Sequence, residues 1–265
     1  MARGDTMKLA RRMCLEADLG QVLVSSTIEV LARAHHRFAP AVQVRLKGRS
    51  ESSAVFRLIG ERRAAEVGVS GRWLARGNEV ESLASVMEAL GSGRGGVVSL
   101  SGAAGVGKTR LLREFAALAG PRGLPLYRAR ATPYGADRSL SSLRELVGTV
   151  LGLEAGASTD VVRERLGRLA QLGLDERERA RIASLFAVHL AERGVVPQAN
   201  NEMRHAAVRL VRGLATESPV ILAVEDVQHL PDVDLALLGH IVRSTAGQPV
   251  VFLFSCRTEL PAELG

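Results

Sequence analysis

The sequence predicts an α/β fold, a doubly wound and mainly parallel sheet with a helical insertion, preceded by a small α+β piece. Four short apolar runs are the first reason: Val97 to Ser101, Leu124 to Tyr127, Val220 to Val224 and Val250 to Phe254. Each has the length and near-continuous apolar character of a strand buried on both faces. The second reason is that helical patterns separate them. The third is a glycine-rich turn between the first run and the helix after it.

Taken in order, Thr6 to Glu16 reads as helix, Gln21 to Ser25 as strand and Thr27 to Ala34 as helix. Val42 to Lys47 and Ala54 to Leu58 read as strands. These belong to a first part, residues 1–68, whose length gives only a marginal core. Residues 69–96 are expected to form a linker and a first helix, with the boundary near Gly68 to Trp73. Residues 97–265 carry the repeated strand and helix. There Leu111 to Leu118 follows the first strand, and Leu140 to Leu151 with Val161 to Leu190 fill the insertion. Met203 to Leu214 leads into the third strand, and Leu235 to Val242 joins it to the fourth.

Bulk composition narrows the function. At 265 residues, with 46% hydrophobic and 24% charged, the chain has the composition of a globular protein. No apolar stretch approaches the roughly 20 residues of a membrane helix. Glu16 and Asp18 interrupt any signal-peptide core, so a cytoplasmic location is expected. Cys14 and Cys256 fit no metal spacing, and the six histidines form no HxxxH or HExxH pattern. A net charge of +7 raises nucleic acid as a partner. Basic and acidic residues alternate, however, as in Asp175-Glu176-Arg177-Glu178-Arg179, and aromatics make up only 3%. Nucleic-acid binding is therefore not expected.

The motif that carries chemistry is Gly102-Ala103-Ala104-Gly105-Val106-Gly107-Lys108-Thr109, followed by Arg110. It fits GxxxxGK[ST] and lies between a strand candidate and a helix candidate, the context of a P-loop. Its glycines allow backbone N–H groups to turn toward phosphate oxygens, and the helix N-terminus adds positive potential. Lys108 is expected at the β and γ phosphates and the Thr109 hydroxyl at Mg²⁺. Only three of the 35 basic residues are lysine, which makes Lys108 stand out. A second element, Val220 to Val224 followed by Glu225-Asp226, is an apolar strand ending in two carboxylates, like a Walker B segment. Such a strand end is expected beside the P-loop. One acid would hold Mg²⁺ through water, and the other would orient or deprotonate an attacking water. Glu225 reaches farther than Asp226, and the sequence leaves the assignment open. Arg257, after the fourth run, reads equally as a cation for the γ-phosphate and as a surface arginine.

From Arg76 to Glu259 the chain resembles the STAND class of signalling P-loop ATPases, AAA-type modules of multidomain regulators. The resemblance rests on Arg76-Gly77-Asn78-Glu79-Val80, the P-loop, Pro133-Tyr134-Gly135, Glu225-Asp226-Val227-Gln228-His229 and Ser255-Cys256-Arg257. It implies ATP and Mg²⁺ as ligands and Arg257 as a γ-phosphate sensor. The aspartate usual after the two acids falls on Pro231. Residues 4–58 resemble the C-terminal end of a class III adenylate or guanylate cyclase domain, through Gly4-Asp5-Thr6-Met7-Lys8-Leu9-Ala10-Arg11-Arg12, Arg45-Leu46-Lys47-Gly48 and Val55-Phe56-Arg57-Leu58. That implies a base-recognition position at Asp5 and a transition-state arginine at Arg12. Lys8 stands where the family has asparagine, and Asp5 also reads as a helix N-cap.

Relative to these families both ends read as truncated. The leading expectation is an ATP-binding signalling module with slow or no hydrolysis, open to self-association or to a cyclase-domain partner. Two rivals stand beside it. One is a working ATPase or a cyclase subunit completed by a partner chain. The other is a fragment of a nucleic-acid-binding transcriptional regulator.

Overall fold

A computed structural model describes residues 5–17, 21–33, 36–44, 53–61, 77–131, 140–154, 157–186 and 198–265. The expected boundary at Gly68 to Trp73, the stretches Arg45 to Gly48 and Pro133 to Gly135, and Arg76 lie outside these residues. The chain divides into two compact units, Met1–Arg72 with Glu154–Ala157, and Trp73–Leu153 with Ser158–Gly265.

In the first unit the elements are α1 (Asp5–Glu16), β1 (Leu23–Ser25), α2 (Ser26–Ala32), β2 (His36–Phe38), β3 (Val42–Val44) and β4 (Ser53–Glu61). The long β4 is the hub, pairing antiparallel with β1, β2 and β3. Leu9 and Met13 are four residues apart on one face of α1, and they pack with Leu23 and Val55. The β2 strand was not expected. His36-Arg37 gives no apolar alternation, and pairing with β4, through a register shift between Arg37 and Phe38, supplies what the local pattern lacks.

The second unit contains α3 (Gly77–Gly91), β5 (Gly96–Ser101), α4 (Lys108–Ala119), β6 (Leu126–Arg130), α5 (Ser141–Val150), α6 (Thr159–Leu166) and α7 (Arg168–Gln171). It continues with α8 (Glu176–Ala183), α9 (Asn201–Glu217), β7 (Val220–Glu225), α10 (Asp232–Ser244) and β8 (Val250–Cys256). Among the described residues the sheet runs β5-β8-β7-β6, with every neighbouring pair parallel. Period-2 alternation builds three layers. Ile221, Ala223, Val251 and Leu253 face Leu83 and Met87 of α3 and Leu112 and Phe115 of α4. On the opposite face Leu222, Val224 and Phe252 line, with residues of α5, α9 and α10, an apolar gap of only about 20 Å³. Both β7 and β8 are buried along their whole length, which accounts for their unbroken apolar runs.

Two expectations need correction. The second strand does not span Leu124 to Tyr127 but starts at Leu126 and runs to Arg130, in register with Ile221 to Glu225. Leu124 instead joins the core beside α4. Pairing to β7 thus draws two arginines into a strand whose apolar run had already ended. The helical pattern Val161 to Leu190, whose last four residues lie outside the described ones, breaks into α6, α7 and α8, with turns at Gly167 and at Gly173, where φ is 78°. Asp175 then starts α8 with a capping box, taking the Glu178 N–H while the Glu178 carboxylate takes its own.

Gly95, at the entrance to β5, lies against neighbouring backbone. A Cβ there would sit 2.2 Å from Gln248 O and 2.7 Å from Val250 N. Gly95→Ala is expected to cost about 1–3 kcal/mol through overpacking, read as a lower urea midpoint.

Candidate functional site: a phosphate-binding loop facing two carboxylates

The loop grows from the end of β5. Ser101 pairs with Cys256 of β8, and the Gly102 N–H donates to the Cys256 carbonyl at 3.2 Å. Gly105 (φ 79°) and Gly107 (φ 98°) adopt the left-handed backbone that a side chain would disfavour. Gly107 is the N-cap of α4, and its carbonyl accepts the Leu111 N–H at 2.9 Å. Ala103, Ala104, Gly105 and Val106 form the exposed arch, while Lys108, Thr109 and Arg110 are half-buried in the first helical turn. No acidic residue of α4 itself occupies that turn, whose N-terminus carries the positive end of the helix dipole. The Lys108 ammonium donates to the carbonyls of Gly102 (2.6 Å) and Ala103 (3.0 Å), which holds its charge over the arch. Together these features make an anion site suited to phosphate.

The acidic end of β7 lies beside the P-loop helix. The end of β7 is not adjacent to the P-loop strand, because β8 lies between them. The link runs through the helix: Thr109 Oγ1 donates to Glu225 Oε2 at 2.8 Å. Glu225 is only 1% exposed, and Arg128 Nε on β6 lies 2.6 Å from its Oε1. That contact is an ion pair rather than an aligned hydrogen bond. Asp226 points to other partners. Arg130 Nε donates to its Oδ2 at 3.0 Å, and Gln228 Nε2 reaches its Oδ1 at 3.4 Å. Its backbone is left-handed, φ 57°, a conformation that aspartate tolerates better than most residues. Its N–H is held by Ser255 Oγ of β8 at 3.0 Å. Glu225 therefore faces the P-loop helix, and Asp226 faces Arg130.

Sequence reasoning missed Arg128, Arg130 and Asp234, and it quoted Ser255 without giving it a role. Arg128 and Arg130 alternate with Ala129, so on a strand they share one face, a signal hidden by the early end of the apolar run. Buried Asp234 of α10 accepts the Leu140 N–H through both oxygens, at 2.9 and 3.0 Å. This anchors the start of α5 where Leu140 has φ 68°. Arg257 is exposed and directly follows Cys256, whose carbonyl holds Gly102. Asp5 and Arg12 belong to the first unit, where Asp5 opens α1 and Arg12 is half-buried on it. The side chains of Asp5 and Lys8 lie outside the description.

The donor set fits a hard divalent cation. Thr109 commits its proton to Glu225, which leaves hydroxyl lone pairs as ligands, and Glu225 Oε1 is a buried acceptor without an aligned donor. Among the described residues no group of three or more His, Cys, Asp or Glu could hold a metal alone. Such an ion would thus need phosphate oxygens and water to complete its ligands, as Mg²⁺ does at nucleotide sites.

The family model described as AAA ATPase domain matches residues 72–253, more than half of the chain. A protein of Rhizobium meliloti (strain 1021), described as uncharacterized, is 26% identical over 275 residues. The alignment covers 98% of this chain and 26% of that protein, so the chain spans about a quarter of its length. No helix among the described residues is long and apolar enough to cross a membrane.

Removing the Asp234 carboxylate leaves the Leu140 N–H without its acceptor. Asp234→Ala is expected to destabilise the fold by about 1–3 kcal/mol, measured by urea unfolding, and to make the α5 entry more sensitive to limited proteolysis.

Proposed function

The chain belongs to the AAA ATPase domain family, and from that premise we propose that it is a cytoplasmic ATP-binding regulatory module whose bound nucleotide, more than its turnover, sets a signalling state. The observation that carries this reading is the hydrogen bond from Thr109 to Glu225, which joins the phosphate-cradling helix to the acidic end of β7. It brings an anion site and a carboxylate into one crevice at the carboxyl ends of parallel strands, where α/β sheets bind ligands. In this reading residues Gly102 to Arg110 cradle the triphosphate, with Lys108 on its outer phosphates. Thr109 and Glu225 form the metal side. Mg²⁺, when bound with nucleotide, supplies neutralisation of phosphate charge.

Slow turnover follows from the state of Asp226. A general base must reach the attacking water, and this carboxylate is committed to Arg130 and Gln228 while its backbone is tied to Ser255. Arg257 is the candidate γ-phosphate contact. The motifs from Arg76 to Arg257 support assignment to the STAND class. The motifs in residues 4–58 support a first domain, 1–68, derived from a class III cyclase, with Asp5 and Arg12 at former nucleotide positions. Residues 69–96 then serve as linker and first helix, and 97–265 as the ATPase domain. A role for the whole protein in signal transduction is part of the same proposal.

Lys108→Ala is expected to weaken binding of a fluorescent ATP analogue by about tenfold or more with the circular-dichroism spectrum unchanged, since the lysine supplies charge rather than packing. Equal affinity in the folded variant would overturn the site. Single-turnover hydrolysis by the unaltered chain is expected well below about 1 s⁻¹, the lower end for efficient phosphoryl transfer, with Glu225→Gln and Asp226→Asn slower still. A rate at or above that value would refute the switch reading.

A further inference from the structure

We propose that Arg128 is a built-in counter-cation for Glu225, so that this site holds a nucleoside triphosphate with little dependence on Mg²⁺. The inference rests on the nucleotide-binding reading and concerns how that site is charged.

Glu225 is the buried carboxylate on the metal side, and a charge at 1% exposure needs a partner. The chain provides one. Arg128 stands on β6 opposite Ala223 of β7, two residues before Glu225 in register and on the same face of the sheet. From there its Nε reaches 2.6 Å from Oε1. The other oxygen, Oε2, takes the Thr109 hydroxyl. Oε2 is thus hydrogen-bonded within the chain, while Oε1 is ion-paired to Arg128 without an aligned hydrogen bond. Asp226 next to it is matched in the same way by Arg130. Two carboxylates and two guanidiniums sum to no net charge at the end of β7, so a divalent cation there would draw its attraction from the phosphate oxygens rather than from the chain.

The anion-binding groups are independent of that pair. Lys108, the N–H groups of the arch and the N-terminus of α4 act on phosphate without a metal. Phosphate affinity and metal affinity are therefore separable in this chain. A cation ligated through Glu225 would have to displace Arg128 or share its carboxylate. Arg128 is a positioning residue for that carboxylate, and a purely structural role would change stability without changing the response to Mg²⁺.

The test is equilibrium binding of a fluorescent ATP analogue in EDTA and in saturating Mg²⁺, using the full chain, Arg128→Lys, Arg128→Gln and the double variant Arg128→Gln/Glu225→Gln. The unaltered chain is expected to change affinity by less than about threefold between the two conditions. Arg128→Gln should bind at least about tenfold tighter with Mg²⁺ than with EDTA, because Glu225 becomes available to the metal. Arg128→Lys should keep the small response, and the double variant should lose the gain, a non-additivity that assigns the effect to the pair. A tenfold or larger Mg²⁺ effect in the unaltered chain, or the same small effect in Arg128→Gln, overturns the proposal. If Arg128→Gln does not fold, the unaltered chain and Arg128→Lys decide by the same thresholds. Absence of analogue binding by the unaltered chain in both conditions would instead sink the nucleotide reading itself, and this inference with it.

Discussion

A buried carboxylate at the end of a buried strand is the constraint around which the second unit is organised. Glu225 cannot be carried into the interior without compensation, and its partners come from elements far apart in sequence. Thr109 arrives on α4, Arg128 on β6, and the backbone of Glu225 itself accepts the Ala131 N–H at 2.9 Å. Satisfying this one residue fixes the P-loop helix relative to β7 and draws the charged end of β6 into the sheet. The hydrophobic core below it, Phe115 with Ile221 and Leu253, sets the layers, but it is non-directional. The polar contacts choose the register at the top of the sheet.

Strand order decides the shape of the crevice. With β8 inserted between β5 and β7, the last residues of β8 fall between the phosphate arch and the acids. Ser255 uses that place to hold the left-handed backbone of Asp226, and Cys256 to accept the first N–H of the arch. A non-glycine residue at positive φ is a local cost that surrounding contacts must offset. Here the offset comes from Ser255 and Arg130, and the result aims two adjacent carboxylates at different partners. One residue of chain thus separates a carboxylate coupled to the P-loop from one withdrawn toward β6.

Much of the fold was legible because buried parallel strands write continuous apolar runs and helices write a 3.6-residue period. β7 and β8 follow their runs closely, and α9 and α10 contain the stretches their periodicity marks. Legibility failed where pairing overrides local pattern. β6 extends through Arg128 and Arg130 because β7 offers hydrogen-bonding partners as far as Glu225. β2 forms on a polar stretch for the same reason. The insertion read as one long helical pattern because its apolar residues keep their spacing across Gly167 and Gly173, and periodicity does not register a change of direction.

By itself the sequence determined the chemistry available: a glycine-rich arch ending in Lys108 and Thr109, and a strand ending in Glu225 and Asp226. These are local facts, set by residue type and by spacing along one segment, and local facts survive in a one-dimensional string. Only the tertiary structure decided which acid meets Thr109, that β8 stands between the two motifs, and that each carboxylate is matched by an arginine from β6. The physical reason is that these contacts join residues about a hundred positions apart. Their geometry follows from strand order and register, which depend on how the whole sheet packs and leave no periodic trace in the sequence near either partner.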